Sequence, residues 1–344
     1  MVSYILFLVF AALVFDFING FHDAGNSVAT IVGTRILSPG LAVAWAAFFN
    51  FIALWLIGTA VAKAISAGFV RPEAITPNVI GGALTGAIAW NLLTWYFGIP
   101  SSSSHALIGG FGGSALAAGG LDAINRGPKW IETLAAIVVS PLLGALAGLS
   151  LMVLAYNLFR NWRPAAVNRI GKPMQLLSSA MLSVAHGGND AQKTMGIIVG
   201  LLFAVREQFA DPAHWSHFFF IPDTDHIPFW VKLSAHTAIA LGTLSGGWRI
   251  VHTMGQRITR LRPVGGFAAE TGGAIVILSA SALGVPVSTT HTITGSIVGV
   301  GSAHRISAVR WGIARNIVWA WVITIPASAL VAALSYWVLN ALVS

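Results

Sequence analysis

The sequence contains no cysteine, and few of its residues are charged. The absence of cysteine excludes disulfides, thiolate metal sites and cysteine nucleophiles. Only 9% of the 344 residues are Asp, Glu, Lys or Arg, against about 25% in an average soluble domain. Too few charged side chains are present to cover the surface of a soluble globular protein. The composition therefore argues against a soluble enzyme, a nucleic-acid-binding protein and a disordered chain.

Hydrophobic residues make up 56% of the chain, and the mean hydropathy is +0.78. A helix needs about 20 apolar residues to cross a bilayer. Runs of this kind occupy 3–34, 40–62, 78–97, 104–121, 131–159, 174–205, 229–248, 267–285, 290–303 and 311–341. The sequence therefore predicts an all-α integral membrane protein.

The positions of Lys and Arg orient the chain, because cytoplasmic loops carry an excess of both. Two basic clusters, at 160–172 and 249–262, are separated by two crossings and are assigned to the cytoplasm, which leaves the loop 207–225 outside. We expect 78–125 and 267–304 to be re-entrant hairpins rather than pairs of spans. The resulting topology has six spans, two hairpins and both termini outside.

The chain contains an internal repeat. Residues 21–33 align with 188–200, which pairs Asp23 with Asp190, and residues 98–105 align with 284–291. Three predicted crossings separate the two copies, so the copies are inverted relative to each other. Inverted repeats with interrupted helices are typical of secondary transporters, whose substrate binds near the midplane.

The repeat divides the chain into three parts. We assign 1–159 to the first inverted repeat, 160–173 to a cytoplasmic linker and 174–344 to the second inverted repeat. Both repeats lie in the membrane, and the linker carries the first basic cluster.

Carboxylates inside apolar segments are costly and are usually functional. Asp23 and Asp190 are such residues, and each has a nearby asparagine, Asn26 and Asn189. Their oxygens suit Na⁺, and the same carboxylates could instead take up a proton. The alternative is a structural role, in which each carboxylate bonds the backbone or a nearby lysine. Four glycines are expected to break the helices locally: Gly20, Gly25, Gly187 and Gly188.

Two hydroxyl-rich stretches follow Pro100 and Pro286, each at the predicted start of a helix. Helix N-termini offer free N–H groups and the positive end of the dipole, so two such ends brought together would surround an oxyanion. Ordinary helix capping is the alternative. The anion candidates are Ser102, Ser103, Ser104, Ser288, Thr289 and Thr290.

Five further residues are auxiliary candidates: His22, His105, Lys193, Glu270 and His291. The two histidines that directly follow the hydroxyl runs could carry protons or donate to carbonyls. We expect Lys193 to form an ion pair with Asp190 or Asp23 in preference to contacting the anion. Glu270 has no acidic counterpart in the first repeat and is considered as a proton or cation group.

Glycines recur after each hydroxyl run, and they predict close backbone approach in tightly packed hairpins rather than phosphate cradling. They are Gly109, Gly110, Gly112, Gly113, Gly295, Gly299 and Gly301. Similar Gly/Ala-rich faces also allow a homodimer.

Taken together, these motifs resemble those of the inorganic phosphate transporter (PiT) family. Residues 20–30 and 188–193 resemble its paired signatures, and 100–105 and 286–291 resemble its two re-entrant tips. The resemblance covers nearly the whole chain. The short segment between the repeats is similar to the compact bacterial members.

The resemblance implies a cation-coupled symporter that imports inorganic phosphate through a bacterial inner membrane and needs no cofactor. Phosphate would bind between the hairpin tips, and the cations would bind near Asp23, Asn26, Asn189 and Asp190. Family members use Na⁺ or H⁺, some carry metal–phosphate complexes, and a few relatives carry sulfate, so these alternatives stay open.

Two other functions are compatible with parts of the sequence. The hydroxyl-rich hairpins alone would permit a passive anion channel. An intramembrane hydrolase would use Ser104 with His105 or His291, but adjacent helical residues point about 100° apart and the sequence has no GxSxG elbow. We therefore expect a transporter and not an enzyme.

Overall fold

The computed structural model describes residues 1–343, and over that range it is built from helices with a single isolated β-bridge between Val70 and Ile124. The α-helices are α1 (Val2–His22), α2 (Ala24–Gly33), α3 (Pro39–Leu56), α4 (Ala60–Gly68), α5 (Pro77–Tyr96), α6 (Ser103–Gly119), α7 (Pro128–Phe159), α8 (Pro164–Ala204), α9 (Phe229–Ser245), α10 (Trp248–His252), α11 (Pro263–Ala282), α12 (Thr289–His304) and α13 (Trp311–Val343). Short 3₁₀ segments occupy several of the connections. The all-α prediction is confirmed.

Each apolar run of the sequence overlaps a helix of the structure. The largest difference in boundary is at α8, which begins at Pro164, ten residues before the expected start at 174. Proline is favoured at the first position of a helix, where its missing N–H costs nothing. Most of the predicted linker 160–173 is therefore the polar first part of α8, and the division into two repeats stays a prediction.

Five segments are long and apolar enough to cross a membrane among the described residues. They are Val2–Gly33, which contains α1 and α2, Pro39–Leu56, Pro128–Phe159, Pro263–Ala282 and Trp311–Leu342. This supports a membrane protein. The five segments differ from the six expected spans. They lack α8, which contains many polar residues, and α9, which has only 17 residues. They include α11, which was expected to belong to a hairpin.

Two helix pairs share the same local design. Helices α5 and α6 pack together, as do α11 and α12, and each pair is joined by a turn with a glycine at φ 66°, Gly98 or Gly284. Positive φ is accessible to glycine at little cost, which explains the residue type. The second helix of each pair begins after a serine cap, Ser102 or Ser288, whose side chain accepts a backbone N–H three residues on. The local repeat is thus visible in the structure.

The two helix pairs pack against the long helices of opposite halves of the chain. The α5–α6 pair contacts α13, whereas the α11–α12 pair contacts α7. These contacts depend on glycine: a Cβ on Gly113 would overlap the backbone of Ala329 in α13, and a Cβ on Gly299 would overlap the carbonyl oxygen of Ala145 in α7. The prediction that the glycines serve close packing is confirmed.

The expected helix break occurs in only one of the two copies. In the first copy, α1 ends at His22 and α2 begins at Ala24, with Asp23 between them at φ −92° and ψ 7°. In the second copy, α8 runs unbroken through the aligned residues, so the expected break there is wrong. The glycines of α8 serve packing instead, because a Cβ on Gly187 would lie 2.6 Å from the Cα of Asn50.

Candidate functional site

A group of buried polar side chains lies where the α1–α2 junction, the middle of α8 and the two hairpin turns meet. Burying a polar group is unfavourable unless it finds a partner, so such a group in an apolar chain indicates a site. The structure brings together the cation and anion candidates, all at most 3% exposed: Asp23, Asn26, Ser102, Ser103, Ser104, Asn189, Asp190, Ser288, Thr289 and Thr290.

Asp23 connects the α1–α2 junction to the first hairpin. One of its carboxylate oxygens lies 2.6 Å from His22 Nδ1, and the other accepts a 2.6 Å hydrogen bond from the hydroxyl of Ser103. His22 is held from its other side by Thr94 of α5, with Nε2 at 3.0 Å from Oγ1. The auxiliary candidate His22 therefore orients the Asp23 carboxylate.

Asp190 has the corresponding position in the second half. Its Oδ1 lies 2.5 Å from Lys193 Nζ, and its Oδ2 lies 3.2 Å from His186 Nε2. The same Oδ2 accepts a 3.2 Å hydrogen bond from the hydroxyl of Thr289 in the second hairpin. Each repeat-related aspartate is thus bonded to the hydroxyl run of its own half.

Asn26 and Lys193 link each half to the opposite hairpin. The Asn26 amide nitrogen donates to Thr289 Oγ1 at 3.1 Å and to Thr290 Oγ1 at 2.9 Å. Lys193 Nζ donates to the hydroxyl of Ser104 and, at 3.1 Å, to the carbonyl oxygen of Val287. The preferred role for Lys193, an ion pair with Asp190, agrees with these contacts, and the ammonium group also reaches both hairpin turns.

Ser102 and Ser288 differ from the other hydroxyl candidates. Their side-chain oxygens accept the backbone N–H of His105 and His291, both at 3.2 Å, as helix caps. Hydroxyl oxygens have a second lone pair and a proton, so capping leaves each serine able to donate. The alternative of ordinary capping therefore describes these two positions, while Ser103 and Thr289 bond carboxylates.

Several buried oxygen atoms at the site make no hydrogen bond to any of residues 1–343. Among them are Oδ1 of Asn26 and Oδ1 of Asn189, whose amide nitrogens are engaged. Asp16 adds a buried carboxylate to this region, next to Asn19 and Thr194. A buried acceptor without a donor is what a bound cation would satisfy, and oxygen is the ligand that hard cations prefer.

The three groups best placed to hold a cation are Asp23, His186 and Asp190. Each offers one ligand atom, and these atoms lie within 4.8 Å of one another. His186 was not singled out from the sequence, because it has no counterpart in the aligned first copy. Asp16 was also missed, although a carboxylate inside the first apolar segment was itself a signal.

His105 and His291 are fully buried and their rings are in contact. Their ring centroids are 4.7 Å apart, and His291 also stacks on Trp321 of α13 at 3.9 Å. The two rings therefore join the N-terminal ends of α6 and α12. Ser104 forms no serine–histidine dyad with His105 or His291 in the described structure, because its hydroxyl is bonded by Lys193.

Glu270 lies apart from the other candidates. It is fully buried on α11, where it accepts hydrogen bonds from Thr30 at 2.5 Å, Gln175 at 2.9 Å and Ser178 at 2.5 Å. Ser178 precedes Asp190 by twelve residues on α8, about 18 Å along the helix axis. The Glu270 carboxylate joins α2, α8 and α11 and does not face Asp23 or Asp190.

Comparison with known proteins identifies the family. The phosphate transporter family matches residues 19–332, which include every cation and anion candidate predicted from the sequence. This chain belongs to that family. Because the proteins it resembles are transporters, the expectation of a transporter rather than an enzyme is confirmed.

Relatives and a solved structure match over nearly the full chain. A probable low-affinity inorganic phosphate transporter of Rhizobium meliloti (strain 1021) is 54% identical, covering 96% of this chain and 94% of that protein. One of the same description from Bacillus subtilis (strain 168) is 42% identical, covering 97% of each. The solved structure of "The sodium-dependent phosphate transporter" has a TM-score of 0.84 and 26% identity, covering 98% of this chain and 99% of that chain.

Proposed function

We propose that this member of the phosphate transporter family is a secondary active symporter that imports inorganic phosphate and uses Na⁺ as its coupling ion. The observation that carries the proposal is the pair of contacts Ser103–Asp23 and Thr289–Asp190, in which hydroxyls of the hairpin turns are bonded to buried carboxylates. The anion and cation candidates share these atoms, so binding of one ion must affect the other.

The choice of Na⁺ is supported by the ligand set and by the structural relative described as sodium-dependent. We assign Asp23, Asn26, Asn189 and Asp190 to cation binding, with the free amide oxygens of the two asparagines as further ligands. Asp16 supplies an additional buried carboxylate beside Asn19 and Thr194. A proton on one of these carboxylates would be the alternative coupling ion.

For phosphate we assign the hydroxyls of both hairpin turns, together with the ammonium group of Lys193. The hydroxyls are those of Ser102, Ser103, Ser104, Ser288, Thr289 and Thr290. The N-termini of α6 and α12 add free N–H groups and the positive ends of two helix dipoles. Lys193 is bonded to both hairpins and supplies a buried positive charge between them.

Coupling follows from electrostatics. When the hydroxyls of Ser103 and Thr289 turn to phosphate oxygens, Asp23 and Asp190 each lose a hydrogen-bond donor. Two like unit charges about 5 Å apart repel by about 3 kcal/mol at an effective dielectric constant of about 20, and phosphate adds negative charge beside them. A cation bound at the carboxylates offsets this repulsion, so phosphate and cation bind more tightly together than apart.

The site favours phosphate over sulfate for a chemical reason. Phosphate carries at least one O–H group at neutral pH and sulfate carries none. The carboxylates of Asp23 and Asp190 and the carbonyl oxygen of Val287 are acceptors at the turns, and an anion without a proton would leave them facing its oxygens. We therefore expect sulfate to compete poorly.

The local likeness of the two hairpins supports an inverted-repeat mechanism. Each hairpin packs on a long helix of the opposite half, so rocking of one half on the other would expose the shared site alternately to the two sides. In this proposal the hairpins are re-entrant, both termini face the outside of a bacterial inner membrane, and transport needs no cofactor. A homodimer and transport of a metal–phosphate complex, with His186 as a nitrogen ligand, are compatible with it.

The test is uptake of radiolabelled phosphate by proteoliposomes under an imposed Na⁺ gradient and, separately, an imposed pH gradient, each with and without excess sulfate. We expect accumulation above equilibrium with the Na⁺ gradient, and weak competition by sulfate. Accumulation driven only by the pH gradient would replace Na⁺ with H⁺. Equilibration without accumulation under both gradients would favour a passive channel and overturn the proposal.

A further inference from the structure

Four arginines converge on one cavity at the end of α2. Arg35, Arg257, Arg260 and Arg310 line a space of about 640 Å³ that also contacts the last residues of α2. They come from three separate parts of the chain, so the folding of the protein and not local sequence brings them together. Over the range 1–343, none of the four forms a salt bridge, and no acidic residue lines the cavity.

The backbone around this cavity is unusual at two points. Arg35 has φ 61° and is the only non-glycine residue among 1–343 with a positive φ, a conformation that is strained for a residue with a side chain. Arg257 ends a π-helix at 253–257, a form that is rare and is frequent at functional sites. Both departures from regular structure contribute an arginine to the same cavity.

The four arginines are exposed, so water and salt weaken their mutual repulsion, and a bound anion would neutralise it further. An excess of Lys and Arg on one side of a membrane protein has an ordinary explanation in topology. That explanation requires the charges to be on one side but does not require them to line one cavity. Two neighbouring cavities share residues with this one and add further cations: Arg160, Lys172, Arg262 and Arg305.

The cavity lies close to the shared site along the chain. Gly33, the last residue of α2, lines the cavity, and Asp23 immediately precedes the same helix. Ten residues of α-helix span about 15 Å. The cavity is therefore at the far end of the helix that Asp23 precedes, and it is separate from the central site.

We propose that Arg35, Arg257, Arg260 and Arg310 form a second, peripheral site for a phosphoryl anion, separate from the hairpin turns. The proposal rests on the proposed function in one respect, because it takes phosphate as the anion that the protein transports. Guanidinium groups suit this ligand, since each presents paired N–H donors to phosphate oxygens. The phosphoryl group could belong to free inorganic phosphate or to the headgroup of an anionic phospholipid.

The first experiment measures binding of radiolabelled phosphate to the purified protein in nanodiscs made only of phosphatidylcholine. We expect two phosphates per chain, and we expect the double variant Arg257→Gln/Arg310→Gln to lose the peripheral one, with affinity there reduced at least about tenfold because two charge-assisted contacts are removed. Arg163→Gln/Arg169→Gln is the matched control, since it also removes two charges but outside this cavity. The variant Arg257→Lys/Arg310→Lys keeps the charge and shows whether the guanidinium groups are needed.

Unchanged stoichiometry and affinity in the double Gln variant would overturn the proposal. Retained binding at the central site, with Na⁺-driven uptake still present, shows that the variant is folded and that the proposed function stands on its own. Peripheral phosphate binding in a wild type that shows no Na⁺-driven uptake would contradict the proposed function alone, and the absence of all phosphate binding would contradict both.

The second experiment repeats the binding measurement with phosphatidylglycerol in the nanodiscs. If the peripheral phosphate stays bound, the site holds free phosphate. If phosphatidylglycerol displaces it in the wild type, and the double Gln variant no longer retains phosphatidylglycerol, the site holds the lipid headgroup. Retention of phosphatidylglycerol that does not depend on the arginines would contradict a headgroup site.

Discussion

The side chains of Ser103 and Asp23 are joined by a 2.6 Å hydrogen bond across 80 positions of the chain. This contact connects the start of α6 to the break between α1 and α2. It places a hydroxyl that we assign to phosphate on a carboxylate that we assign to the cation. The corresponding contact in the second half joins Thr289 to Asp190.

Asp23→Asn removes the charge at the first carboxylate and keeps its shape. We expect coupled phosphate uptake to fall to background while the protein remains folded in the membrane, because the cation loses its anionic ligand. Uptake by proteoliposomes under a Na⁺ gradient measures this. Asp122→Asn is the control, since that exposed carboxylate forms only a surface ion pair with Arg126. Wild-type uptake by Asp23→Asn would contradict the proposed cation role.

Asp190→Asn leaves the ammonium group of Lys193 buried without its counter-charge. Breaking a buried pair from one side typically costs about 3–5 kcal/mol, so we expect a large loss of stability in thermal unfolding. The double variant Asp190→Asn/Lys193→Met removes both charges and should recover most of that loss, while uptake stays at background in both variants. Equal stability of the single and double variants would show that the ion pair has no structural role.

Thr289→Val removes a hydroxyl that contacts both Asp190 and Asn26. We expect phosphate affinity to fall at least about tenfold, because a donor to the anion is lost and the Asn26 amide loses an acceptor. Thr289→Ser should bind phosphate nearly as the wild type does. Thr292→Val is the control on the same helix, since that hydroxyl bonds only a backbone oxygen. Phosphate-binding isotherms distinguish these variants, and a normal isotherm for Thr289→Val would exclude this hydroxyl as a ligand.

Gly299→Ala tests the contact between α12 and α7. The added Cβ would overlap the carbonyl oxygen of Ala145, and overpacking of this kind costs about 1–3 kcal/mol. A matching decrease in stability is expected from thermal unfolding in detergent. Gly312→Ala is the control because nothing lies within 4 Å of its Cβ position. Equal stability of the two variants would mean that the close approach is not needed.

Much of this fold could be predicted from apolar runs and from the repeat. Pro100 and Pro286, each followed by a hydroxyl-rich run, located both turns between helices, because a helix ends where proline follows. The break at Asp23 was also predicted. The course of α8 was not, since Gly187 and Gly188 are as compatible with close packing as with a break, and only the neighbouring helix decides between them.

The candidate site was predictable where residues recur and was missed where they do not. Asp23, Asp190 and the hydroxyl runs were found because each has a repeat-related partner. His186 has none, yet its ring lies 3.2 Å from Asp190 because four residues on a helix form one turn. Glu270 was grouped with the cation candidates, whereas its three donors come from α2 and α8, a tertiary arrangement that sequence spacing does not show.

The central claim is that phosphate and cation bind to one shared site, and the most direct test is their mutual effect on affinity. Phosphate binding to the purified protein would be measured at fixed pH and ionic strength while choline replaces Na⁺, and Na⁺ binding would be measured with and without phosphate. The account predicts that Na⁺ tightens phosphate binding and that phosphate tightens Na⁺ binding by the same factor. Phosphate affinity that is independent of both Na⁺ and pH would contradict it.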